Sequence, residues 1–265
     1  MNFPKIAVIL LAVALPFAGC KKMKSGWNKM NVFPITDDIA LGKQVAAEIA
    51  SKPKEYPLLP EQGNEEIYKY IRGLTDKILN TGKVEHRREF AWQVKIIKDD
   101  KTLNAFCTPG GYIYVYTGLI KFLDSEDQLA GVLGHEIAHA ANRHSTRQMT
   151  KMLGLQVLAD AISGNRKAFG QVFSAIVGLK FSRSHEAEAD KFSVVYLCGT
   201  GLNAAGAAGF FKKIQTKGGQ PPQFLSTHPN PKNRIQAIMG QARSMGCKGT
   251  GTDQAVYVKM KNLLK

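Results

Sequence analysis

Apolar residues recur at helical spacing over much of the chain. Ile67, Tyr70, Ile71, Leu74 and Ile78 fall on one face of a helix that Asn64 is placed to cap and that runs to about Leu79. Thr36, Asp37 and Asp38 open an earlier helix ending near Ala50, and Pro53, Pro57 and Pro60 mark the loop between the two. Residues 90–97 and 112–117 alternate at strand spacing, with Pro109-Gly110-Gly111 as a turn before the second. Residues 148–162, 168–197, 203–215 and 232–244 return to the helical pattern. Gly164-Asn165 and Gly199-Thr200-Gly201 interrupt it. Residues 217–231 read as a Gly- and Pro-rich loop containing His228, and 256–258 as a short strand. There is no internal repeat, so a helical-repeat array is not expected. The pattern predicts an α+β fold, mostly helical, with a small sheet.

One further helix carries the chemistry. Ser125 and Gln128 form a capping box, and Glu126 and Asp127 suit the positive end of the dipole. Leu129, Val132 and Leu133 lead into His135-Glu136-Ile137-Ala138-His139, and small residues follow at Ala138, Ala140 and Ala141. Residues four apart lie above one another on a helix, so both imidazoles can grip one ion. Glu136 sits about 100° round the axis, where it can act as a base on a water. A buried helix presenting ligands inward is expected.

Catalytic zinc normally takes three protein ligands and keeps one open position. The downstream candidates for the third are His144, His185, Glu186, Glu188, Asp190 and His228. Glu186 and Asp190 stand four apart on a helix, so one carboxylate can bind metal while the other steadies a histidine through its free ring nitrogen. Glu188 points about 200° from Glu186 and is expected to be solvated, and His185, about 100° off, to lie at the surface. His144 falls off the ligand face and is expected to serve the helix C-terminus.

At this point the sequence resembles a known family. Residues 181–190, Phe-Ser-Arg-Ser-His-Glu-Ala-Glu-Ala-Asp, look like the second signature of the HtpX-like and CAAX-prenyl-protease-like gluzincin metallopeptidases. Asn104-Ala105-Phe106, Pro109-Gly110-Gly111, Thr227-His228-Pro229 and Arg234-Ile235 also resemble family patterns. The resemblance covers roughly residues 36–240 and implies a zincin-like fold with the sheet beside the active-site helix. It implies one Zn2+ held by His135, His139 and Glu186, with Glu136 as base. Cys107 departs from the apolar residue expected at its position.

Other positions follow from the chemistry. His228 and Arg234 are candidate donors to the developing oxyanion, and His228 could instead be a fourth ligand that keeps the site latent. Asn104 and Ala105 begin a sheet edge to which an extended substrate could add by main-chain hydrogen bonds. The family resemblance implies endopeptidase cleavage of misfolded or misassembled envelope proteins. Two alternatives stay open, an assembly factor with a structural metal and a metallohydrolase acting on a non-peptide amide.

Residues 1–19 read as a secretory signal, with Lys5 followed by the apolar stretch 6–15. Phe17-Ala18-Gly19-Cys20 resembles a bacterial lipobox, with Phe17 where Leu is usual. Lipidation of Cys20 is expected, and Lys21 in place of Asp points to the outer membrane facing the periplasm. Residues 20–35 then form a tether, and 36–265 the zinc metallopeptidase domain. The chain carries 36 Lys and Arg against 21 Asp and Glu, a formal charge of +15. With no basic stripe and no zinc finger, the expected partners are a membrane surface and unfolded protein, not nucleic acid. Beyond Cys20, the remaining Cys107, Cys198 and Cys247 allow at most one internal disulfide. Cys198 with Cys247 is a conceivable pair.

Overall fold

In a computed structural model, the described residues are 31, 33–216, 222–229, 233–249, 251 and 254–264. The expected signal segment, Cys20 and nearly all of the tether lie outside them. Helix α1, Ile35–Ala50, begins where Thr36-Asp37-Asp38 places it, and Phe33 just before it is already buried. Helix α2, Glu65–Leu79, buries Ile67, Tyr68, Ile71, Leu74, Ile78 and Leu79. The first strand is shorter than its apolar pattern, β1 at Gln93–Ile97, and β2 is Ala105–Thr108. A single 3-10 turn at Pro109–Gly111 leads into β3, Tyr112–Tyr116. Gly110 and Gly111 adopt φ of 75° and 83°, values that suit glycine, to make this reversal.

The sheet has the order β1-β3-β2, with β1 parallel and β2 antiparallel to β3. Side-chain alternation divides its two faces. Ile113 and Val115 join the larger core with α2 and the helix at Glu126–Ala141, while Tyr112 and Tyr114 face the second core beneath α1. A short helix α3, Thr117–Phe122, returns the chain to α4, Glu126–Ala141. There Ser125 Oγ accepts from the Gln128 amide at 3.3 Å, as the capping signal requires.

Several boundaries differ from the sequence reading. The stretch after α4 is a set of shorter helices, α5 His144–Leu153, α6 Leu155–Ile162, α7 Arg166–Val177 and α8 Arg183–Leu197. Gly154, at φ 82°, separates α5 from α6. Residues 178–182 break the expected long helix, and there the Phe181 amide donates to the Thr227 carbonyl at 3.1 Å. Helix α9 is Gly206–Thr216, α10 is Gln223–Thr227 within the expected loop, and α11 is Arg234–Ser244. The expected strand at 256–258 is part of helix α12, Gln254–Lys261. Its Tyr257 is buried and donates to the Ile120 carbonyl at 2.7 Å, so a tertiary contact decides a segment whose local pattern is ambiguous. Cys198 and Cys247 form a disulfide, and Cys107 is free and buried. No described helix is long and apolar enough to cross a membrane.

Candidate active site

Every residue of α4 but Gln128 is buried, and His135, Glu136 and His139 are each at most 1% exposed. Glycine allows that depth. A Cβ on Gly131 would come within 2.1 Å of the Ala207 amide nitrogen of α9, so the two backbones can meet only at a glycine. Gly134 likewise faces Ser193 of α8, and Ser193 Oγ donates to the Gly131 carbonyl at 2.9 Å. Close approach thus rests on these glycines upstream of the motif as well as on the expected alanines. Helix α8, capped by Ser182 Oγ on the His185 amide, lies against α4 and carries Glu186 and Asp190.

The two imidazoles and Glu186 converge. His139 Nε2 is 3.0 Å from His135 Nε2 and 3.3 Å from Glu186 Oε1, and His135 Nε2 is 3.5 Å from Glu186 Oε2. A tetrahedral zinc with bonds of about 2.0–2.1 Å holds its ligand atoms about 3.3 Å apart, and these separations are of that size, with each imidazole facing a different Glu186 oxygen. His228, at the end of α10, completes the cluster. Its Nδ1 is 3.1 Å from Glu186 Oε1 and 3.3 Å from His135 Nε2. One donor atom from each of the four residues lies within 4.8 Å of the others, and all four residues are buried. Two imidazoles and a carboxylate are a zinc donor set, and this geometry suits one ion.

Glu136 stands beside the cluster. Its Oε1 is buried, makes no hydrogen bond, and lies 3.6 Å from His228 Nε2. Burial raises its pKa, as suits a proton acceptor. Burial alone would also raise Glu186. The facing rings of His228, His135 and His139 outweigh it and hold that carboxyl well below the usual range, ready to ligate. Burial lowers His139, keeping it neutral. For His135 burial acts the same way, but its contacts with Asp190 and Glu186 prevail and push it up to about 9.

The outer contacts explain how these side chains are held. His135 Nδ1 is 3.0 Å from Asp190 Oδ1. Arg234, expected as a donor to the developing oxyanion, packs against both carboxylates and the ring of His135, with Nη2 3.3 Å from His135 Nε2. It donates to Asp190 Oδ1 at 2.7 Å, sits 3.0 Å from Glu186 Oε2, and stacks on Phe211. Behind His139 lie three residues that the sequence pattern places elsewhere. His144 is fully buried, with Nδ1 3.0 Å from His139 Nδ1 and Nε2 3.2 Å from Glu188 Oε2. Glu188 is therefore engaged rather than solvated, and also meets Arg147 Nη1 at 3.5 Å. His185 is buried instead of exposed, stacks on His144 at 4.5 Å, and is driven by burial to a pKa of about 3. Phe181 stacks on His139 at 3.9 Å.

A cleft beside the cluster is lined by Asn104, Phe106, Cys107, Phe181, Thr227 and His228 among others. Asn104 is buried and its Oδ1 has no hydrogen-bond partner. Ala105 is fully buried and pairs with Val115. Tyr116 donates to the Asn104 carbonyl, so by antiparallel alternation the main-chain groups of Ala105 and Cys107 face the outer edge of β2. That strand runs beside α4.

A family model described as peptidase family M48 matches residues 67–242. The chain is 32% identical over 163 residues to mitochondrial metalloendopeptidase OMA1 of Arabidopsis thaliana, an alignment covering 60% of this chain and 33% of that protein. It is 28% identical over 250 residues to the beta-barrel assembly-enhancing protease of Yersinia pestis, covering 86% of this chain and 49% of that one. It is also 28% identical over 263 residues to metalloprotease LoiP of Escherichia coli, covering 92% of this chain and 100% of LoiP. The chain thus spans about a third to a half of the length of several curated relatives, and all of LoiP. With His135-Glu136-x-x-His139 and Glu186 converging inside the matched region, the chain belongs to peptidase family M48.

Proposed function

We propose that this chain is a zinc-dependent endopeptidase that cuts exposed, extended segments of misfolded or misassembled cell-envelope proteins. The observation that carries the reading is the convergence of His135, His139 and Glu186, with the unbonded Oε1 of Glu136 at its side. Family membership supports it, and relatives named for β-barrel assembly support the envelope setting. Its likeness to the HtpX-like and CAAX-prenyl-protease-like branches, and lipid attachment at Cys20 on the outer membrane, are parts of the same proposal.

His135 and His139 would hold a zinc ion through Nε2, and Glu186 through its carboxylate. Bound there, zinc would supply Lewis acidity for a water and for the scissile carbonyl. Glu136 takes the water proton at its carboxylate and later delivers it to the leaving amine. Asp190 and Arg234 fix the orientation of His135 and Glu186, so Arg234 acts by positioning. Once the cover over the buried Ala105 and Cys107 moves aside, the edge of β2 receives substrate through their main-chain groups, while Asn104 Oδ1 offers an unused acceptor. Pairing through main chain favours unfolded segments over a fixed sequence.

The distances at His228 favour a second role beside the first. Its Nδ1 spans the same edges as a fourth ligand, which describes a closed site. Opening moves this ring off the cluster, from where it can donate to the oxyanion. Casein hydrolysis by the wild type and by Glu136→Gln tests the peptidase reading. We expect chelator-sensitive cleavage by the wild type and a loss of about 10²–10⁴-fold in the variant. Equal hydrolysis by both proteins defeats it.

A further inference from the structure

We infer that His144 and Glu188 form a relay that orients the zinc ligand His139 and sets its tautomer. The proposal rests on the metal-site reading above and adds two residues that the ligand motifs do not include.

The protons can be assigned along the chain of contacts. His139 turns Nε2 toward His135 and Glu186, so that nitrogen must carry a lone pair to bind metal. A neutral imidazole then carries its proton on Nδ1. That Nδ1 is 3.0 Å from His144 Nδ1, which must accept. His144 in turn carries its proton on Nε2 and donates it to Glu188 Oε2 at 3.2 Å. Arg147, 3.5 Å away, pairs with the carboxylate and helps hold it in place. Each donor meets one acceptor, and only one tautomer of each ring satisfies the set. With His139 flipped, no lone pair would face the metal.

Packing fixes the same geometry. His144 is fully buried, lies between the rings of His139 and His185, and stacks flat on the latter with 11° between planes. It reaches this place because Arg143 takes a left-handed conformation, φ 54° and ψ 37°, after α4 ends. The turn starts α5 back against the side of His139. Arg143 is anchored there by Asp38, with Nε to Oδ2 at 2.7 Å, and by the Phe33 carbonyl at 2.6 Å.

Outer partners of this kind typically change metal affinity about 10–100-fold when removed. The test is zinc affinity of the full-length chain by chelator competition, with thermal unfolding of the metal-free protein alongside. His144→Phe keeps the stacked ring but offers no acceptor, and should weaken zinc binding about 10–100-fold. His144→Asn places an amide oxygen near the lost Nδ1 and should recover most of that loss, which a purely structural role would not produce. Glu188→Ala alters a partly exposed carboxylate and should weaken zinc several-fold while leaving metal-free unfolding unchanged. If His144→Phe does not fold, Glu188→Ala decides alone. Wild-type zinc affinity in folded His144→Phe and in Glu188→Ala overturns the relay while leaving the peptidase reading intact. Failure of the wild type itself to bind zinc overturns the site and the relay together.

Discussion

His135 and His139 sit one turn apart on α4, yet their outward nitrogens are held by different chemistry. His135 meets a carboxylate directly, Asp190 at 3.0 Å, and that carboxylate is clasped by the fully buried Arg234. His139 meets another imidazole, and reaches a carboxylate only through it, at Glu188, whose side chain is 22% exposed. A direct carboxylate raises the basicity of its ligand as well as fixing it, whereas a neutral ring mainly fixes the tautomer. The His135 side is therefore the stronger anchor, and the His139 side is nearer to solvent.

The two sides also differ in how the chain reaches them. Arg234 and His228 lie within the 49-residue separation closed by Cys198 and Cys247, while Glu188, His144 and Arg147 lie outside it. A loop of that length gives a cross-link worth about 4 kcal/mol on the chain-entropy account. Reduction, followed by thermal or denaturant unfolding, should cost stability of that order. Hydrogen exchange should rise around Arg234 and His228 and stay low around His144. Equal loosening on both sides would erase the distinction.

Asp190→Asn should give the next largest effect, about a 10–100-fold fall in zinc affinity measured against a chelator. It should exceed the several-fold fall at Glu188→Ala. A reversed order would show that the imidazole-mediated side is the stronger anchor. The smallest effect belongs to Ser193→Ala, which removes the clamp between α8 and α4 without touching either anchor. One hydrogen bond is worth about 1 kcal/mol, so denaturant unfolding should shift by that amount and zinc affinity should hold. A zinc loss as large as that of Asp190→Asn would mean that helix spacing, rather than ligand support, governs the site.

The contrast follows what a sequence can express. Helix α4, its Ser125 cap and the spacing of Glu186 and Asp190 are local patterns, and the structure brings their side chains together. His144 escapes a helical projection from His139 because the helix has already ended before it. Left-handed Arg143 resets the phase, and no wheel drawn through residue 143 finds His144 behind His139. Glu188 does point away from Glu186, but α5 packs where solvent was expected. Arg234 reads in sequence as a donor to the oxyanion, and its burial against Asp190 depends on where α11 packs. Each miss is a contact between segments distant in sequence, or a change of phase at a single backbone angle.

The central claim is that His135, His139 and Glu186 hold one zinc ion with Glu136 free beside it. A zinc-edge anomalous map from crystals of the chain tests it most directly. The account predicts one peak about 2.0–2.1 Å from Nε2 of both histidines and from a Glu186 oxygen, with Glu136 outside the coordination sphere. A peak elsewhere, or one ligated by Glu136 with Glu186 turned away, would contradict it.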